Sequence, residues 1–129
     1  MTFLTVDEIV SLHDKLIFQT GGASGTRDIG LLESAVYSAY NAYEDVEQYP
    51  TVEEKAARLA FAIVNNHAFI DGNKRIGVMV MLMTLRLNYV LLSYTQQELI
   101  DLGLSLASGT ANYADTLNWI RAHTTSHSL

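Results

Sequence analysis

The sequence predicts an all-α fold: a compact six-helix bundle with a central buried helix and at most a very short β element. Three observations carry this expectation. Thr5/Glu8, Thr51/Glu54 and Thr95/Glu98 have the spacing of capping boxes, in which each side chain satisfies an orphan N–H at a helix start. Each box precedes apolar residues at helical spacing. The segment from Asn73 to Leu87 is apolar nearly all round, as expected of a helix in the middle of a bundle.

The first helix is expected from Thr5 to Gln19, with Val6, Ile9, Val10, His13, Leu16 and Ile17 on its inner face. His13 on that face reads as a core histidine hydrogen-bonded internally. Gly21 to Gly25 follow as a turn, because they lack the strand-then-helix context of a dinucleotide fingerprint. Asp28 is a natural N-cap for the second helix, which carries Leu31, Leu32, Ala35, Val36, Ala39 and Tyr40 on one side. A polar link from Glu44 to Pro50 leads to the third helix at Thr51, burying Ala56, Leu59, Ala60, Ile63 and Val64. The methionines of the fourth helix read as core filler. Val90 to Leu92 suit a short strand, the fifth helix follows Thr95, and the sixth follows Asn112 and includes Leu117, Trp119 and Ile120. The tail 124–129 is expected to fray. His123 and His127 have no metal-ligand pattern around them and read as solvated.

Bulk composition bounds the function. The 129 residues fit one domain, 1–129, of ordinary size. Apolar residues make up 49% of them, enough for a packed core. No cysteine is present, which excludes disulfides and thiolate metal sites. The net charge of -6 with only eight Lys and Arg disfavours direct nucleic-acid binding, which rests on many phosphate contacts. Ile76 to Leu87 is the longest apolar run and is too short for a membrane span of about 20 residues. Met1 to Thr5 lack the pattern of a secretory leader. A cytoplasmic protein with no membrane association is expected.

Chemistry concentrates in His67-Ala68-Phe69-Ile70-Asp71-Gly72-Asn73-Lys74-Arg75, which joins the third helix to the fourth. Lys74 and Arg75 fall in the first helical turn, where the helix end is already partly positive. Asp71 offers one remedy, as a local carboxylate or cap. An anion offers the other, since free amides, a permissive glycine and two cations suit a phosphate. His67 is a side chain readily poised as a general base, and Asp71 an oxygen ligand of the kind that Mg²⁺ takes beside phosphates. Phosphoryl transfer asks mainly for such positioning and charge stabilisation. Each residue alone also has a structural reading: a satisfied histidine, a helix cap, a turn asparagine. The conjunction is less easily dismissed than any one member, but spacing alone leaves a nucleotide site and a purely structural loop evenly balanced.

HAFIDGNKR resembles the signature of the Fic/Doc superfamily: His, any residue, Phe, any residue, Asp or Glu or Asn, Gly or Ala, Asn, Gly or Lys, Arg. His67, Phe69, Asp71, Gly72, Asn73, Lys74 and Arg75 all match it. Helix order and length resemble the death-on-curing toxins over nearly the whole chain. The AMP-transferring members carry Gly where this chain has Lys74, a second Arg where it has Val78, and usually Pro where it has Ala68. Lys at the glycine position marks the death-on-curing branch, whose resemblance implies a nucleotide turned to present its γ-phosphate.

That resemblance implies a toxin of a type II toxin–antitoxin module. It would be a protein kinase using ATP and Mg²⁺ to phosphorylate a Thr or Ser hydroxyl of elongation factor Tu, arresting translation. His67 would take the hydroxyl proton. Asp71 would hold Mg²⁺ or orient the base. Gly72, Asn73, Lys74 and Arg75 would cradle phosphates, and Phe69 would anchor the loop. Arg27 is a further candidate for nucleotide contact, and the link at Glu44 to Pro50 lies where the superfamily places a target-docking flap. No Glu has Ser or Thr four positions before it, so the internal brake of some Fic proteins has no counterpart. A separate antitoxin, needing an apolar groove, is the expected restraint. An AMP-transferase and a catalytically idle binding module are the alternatives.

Overall fold

The structure, a computed structural model, describes residues 1–127. In order, the chain forms α1 (Val6–Thr20), α2 (Ile29–Tyr40), β1 (Ala42–Tyr43), β2 (Val46–Glu47), α3 (Val52–Asn66), α4 (Asn73–Leu87), β3 (Val90–Leu92), α5 (Gln96–Ser108), α6 (Tyr113–His123) and β4 (Thr124–His127). All three capping boxes form, with Thr5, Thr51 and Thr95 each accepting from the backbone of the matching Glu. A fourth forms between Asn112 and Asp115. The Asp28 side chain caps α2 through the N–H groups of Gly30 and Leu31. Each such cap typically contributes about 1 kcal/mol.

α3 divides the core. Leu59, Ala62 and Ile63 face one cluster with α1, α2 and the near side of α4. Ala56, Ala57, Ala60 and Val64 face a second cluster with Met81, Leu85, Leu106 and Ile120. Small residues let α3 and α4 approach closely. A Cβ on Gly77 would lie 2.6 Å from a Val64 methyl and 3.3 Å from the Ala60 carbonyl. Val64 is β-branched on a helix and has little rotamer freedom. Gly77→Ala gains about 1 kcal/mol of helix propensity but costs about 1–3 kcal/mol of overpacking. Urea denaturation is expected to show a net loss of stability.

The structure departs from the sequence reading at four places. α4 is not enclosed on every side: Val78, Met79, Leu82 and Met83 are only half-buried, and Met81 alone of the three is sealed in the core. The link after α2 contains a hairpin, with Ala42 opposite Glu47 and Tyr43 opposite Val46. The tail does not fray at Thr124, because Thr124–His127 pairs antiparallel with β3; the part of that expectation at 128–129 lies outside the described residues. His123 is not solvated. Its Nε2 meets Glu98 at 2.7 Å, its Nδ1 meets the Trp119 carbonyl at 2.7 Å, and its ring stacks on Trp119. The His123 hydrogen bond holds the Glu98 carboxyl down at about 2 and fastens the end of α6 to the start of α5. The expectation for His127 falls on a side chain outside the described part. Among the described residues, no helix is long and apolar enough to cross a membrane.

Candidate active site

The site is built where α3 ends and α4 begins. α3 closes on His67, which has φ 52° and ψ 47°, a left-handed conformation uncommon for a residue other than glycine. The imidazole of His67 is exposed. The loop then turns inward. Phe69 is buried and stacks on His13 with ring centroids 3.8 Å apart, so it anchors the loop as expected. His13 is itself buried and its Nε2 meets the Asp71 carbonyl at 2.7 Å, which fits an internally bonded core histidine. With Nε2 donating, the buried Nδ1 has no partner among the described residues.

Gly72, at φ 79°, starts α4 with no side-chain cap. α1, α2, α3, α5 and α6 all begin with one. The first turn of α4 also lacks an acidic residue and holds Lys74 and Arg75 instead. Free amides and two cations thus meet at the positive end of a helix dipole. Among the described residues Lys74 forms no ion pair, and its stem lies against Gly103 of α5. Arg75 is braced: Nη1 donates to the Thr20 hydroxyl at 2.6 Å and the Gly21 carbonyl at 2.8 Å, and Nη2 lies 3.7 Å from Asp71.

Asp71 does not cap α4. Its Oδ1 accepts from the Gly72 N–H at 2.8 Å and its Oδ2 from the Ala23 N–H at 3.1 Å. These two bonds, first that of Ala23, hold its carboxyl below the usual range, and Arg75 adds to the effect. Gly22 makes room for this arrangement. A Cβ there would lie 2.5 Å from Asp71 Oδ2, at φ 116°. Asp71 therefore stays ionised and is a poor proton acceptor near neutral pH. Its side chain is 47% exposed, and each oxygen keeps a free lone pair, so it fits a hard cation. Among the described residues no three His, Asp or Glu converge on a metal position. One carboxylate beside substrate phosphates is a common arrangement for Mg²⁺.

The Asn73 side chain has a structural role beside the phosphate contact expected of it. Oδ1 accepts from the Phe69 N–H and Nδ2 donates to the Phe69 carbonyl, both at 3.0 Å. The amide clamps the loop, which leaves the Asn73 backbone N–H and the second Nδ2 hydrogen for an anion. The sequence also missed the strap that runs beside the loop. Thr26 bridges Phe69 in antiparallel fashion, and Ile70 N–H donates to the Gly25 carbonyl. These pairings span more than 40 positions and leave no local pattern.

A groove of about 740 Å³ opens beside the first turn of α4. Leu12 and Leu16 of α1, Met79 and Met83 of α4, and Leu99 and Ile100 of α5 line it, and Lys74 and Arg75 lie at its edge. Met79 and Met83 are half-buried and line this groove, in contrast to the core-filling role their sequence suggests.

The comparisons with known proteins agree with this geometry. A family profile described as Fic/DOC family matches residues 3–85, well over half of the chain. The protein kinase doc of Escherichia phage P1 is 33% identical over 122 residues, covering 91% of this chain and 94% of that protein. The toxin Doc of Mycolicibacterium smegmatis is 44% identical over 55 residues, covering 43% of this chain and 42% of that protein. The profile over residues 3–85 and the phage relative matched over nearly its full length, together with the Phe69 anchor and the uncapped start of α4, have one common reading: this chain belongs to the Fic/DOC family.

Proposed function

We propose that this protein is the toxin of a toxin–antitoxin pair. In this reading it transfers the γ-phosphate of ATP to a Thr or Ser hydroxyl of a translation factor, elongation factor Tu by family resemblance. The observation that carries the proposal is the start of α4. Among the described residues it is the one helix of six whose N-terminus has no side-chain cap, and Lys74 and Arg75 stand beside its free amides. The printed names of the relatives, a kinase and a toxin, support it.

The chemistry follows from the residues. The amides of α4, with Lys74 and Arg75, hold the phosphate chain by charge and fixed N–H groups. His67 accepts the proton of the target hydroxyl. That oxygen forms a bond to the γ-phosphorus, and the bond to the β-phosphate oxygen breaks, releasing ADP. Asp71 would hold Mg²⁺, which neutralises phosphate charge when bound. The ion-paired, hydrogen-bonded Asp71 leaves the proton to His67. The exposed hairpin of β1 and β2, with Tyr43 and Val46 outermost, is placed in sequence where a target segment would dock. The apolar groove between α1, α4 and α5 suits an amphipathic antitoxin segment.

The test uses ATP labelled at the α- or the γ-phosphate, with Mg²⁺ and elongation factor Tu. Movement of γ label into the factor is the expected outcome. Movement of α label would replace the kinase reading with AMP transfer. Movement of neither label into the factor or into any lysate protein would leave a binding module.

A further inference from the structure

We infer that Arg27 is a positioning residue for His67, acting through the backbone of the proposed base and not through the nucleotide. This rests on the role proposed for His67. Arg27 reaches across 40 positions of sequence to the His67 carbonyl, to which Nε donates at 3.0 Å and Nη2 at 2.5 Å. Two prongs of a guanidinium on one oxygen fix direction as well as distance. The carbonyl they hold belongs to a left-handed residue at the end of a helix, where the last carbonyls lack helical partners.

The support for Arg27 is itself rigid. Its own N–H donates to the Ala68 carbonyl at 2.8 Å, and the Asp28 N–H donates to the same oxygen at 3.0 Å. Asp28 then caps α2. The guanidinium is therefore delivered from a helix start that is pinned to the residue after His67. The imidazole of His67 is exposed and has no hydrogen bond of its own among the described residues, so its aim depends on its backbone. A base displaced by about 1 Å can lose about 100-fold in rate. The same contacts draw the guanidinium toward a protein oxygen, away from the free contact with phosphate that the sequence suggested.

The test compares Arg27→Ala and Arg27→Lys with the unmodified protein in two measurements. The first is steady-state transfer. Arg27→Ala is expected to lower kcat by about 10- to 100-fold with KM for Mg-ATP changed less than about twofold, and Arg27→Lys, with one charged donor, to recover part of the loss. Unchanged kcat, or a rise in KM alone, would overturn the inference; the latter is the signature of a lost nucleotide contact. The second is the NMR signal of the His67 ring in the free protein. Arg27→Ala is expected to broaden or split it, and an unaltered signal would also overturn the inference. If the unmodified protein transfers no phosphate, the kinase reading fails while the ring signal still decides whether Arg27 holds His67.

Discussion

His67→Ala is expected to lower the rate of phosphate transfer by about 10²–10⁴-fold, the usual contribution of a general base. KM for Mg-ATP should stay near its original value, because the proposed phosphate contacts lie on α4 and not on the imidazole. Stability should also hold, since the ring is exposed. His67→Asn is the better control for the backbone, because Asn tolerates the left-handed region more readily than Ala. It should be as inactive as the alanine variant. Steady-state kinetics on both variants check the assignment. A rate retained by either would remove His67 from the role of base and leave catalysis to positioning and charge alone.

Glu47→Ala is expected to have the largest effect on folding of any surface change. Lys55 is 1% exposed, yet its ammonium meets Glu47 at 3.1 Å, bonds the Tyr49 carbonyl and lies 6.0 Å over the Tyr40 ring. Without Glu47 a buried cation keeps only neutral partners. Loss of one member of a buried pair costs about 3–5 kcal/mol, and the half-exposed Glu47 places this case near the lower figure. Combining Glu47→Ala with Lys55→Met removes the stranded charge and should restore most of the loss. Denaturant unfolding of the single and double variants measures the coupling. A Glu47→Ala protein within about 0.5 kcal/mol of the original, the range of ordinary surface changes, would show that water solvates the ammonium. Because Glu47 belongs to β2, the same change should also loosen the hairpin that is proposed to dock the target.

What was legible in the sequence is what short range decides. Thr and Glu three positions apart mark helix starts, and all three such starts form. The HAFIDGNKR run places the loop and the Phe69 anchor, and the glycine and two cations mark the helix start, while whether Asp71 caps it is left open until the structure shows no side-chain cap. The hairpin was not legible, because its turn uses Glu44 and Asp45 at positive φ in place of the Asn-Gly or Asp-Gly pair that usually announces one. β3 and β4 pair across more than 30 positions, and Thr124–His127 alone looks like any polar tail. The Asn73 side-chain clamp on Phe69 is not legible, because two opposed hydrogen bonds to one residue leave no trace in spacing. His13 was read correctly as internal, but its partner, the Asp71 carbonyl, is a backbone atom 58 positions away.

The bare start of α4 has a consequence for how the molecule opens. Five helices carry their own nucleation signals and begin with side chains that stabilise them locally. α4 begins with a left-handed glycine and two repelling cations, so its first turn is locally frustrated and relies on α3 and α1 for its order. Local opening should therefore start at Gly72–Arg75 and spread along the loop, giving fast amide exchange there and slow exchange in α3. An anion seated on those amides acts as the missing cap. On the proposed reading, a phosphate there would cap the one helix start that no side chain caps among the described residues, so substrate binding would relieve the frustration of that turn.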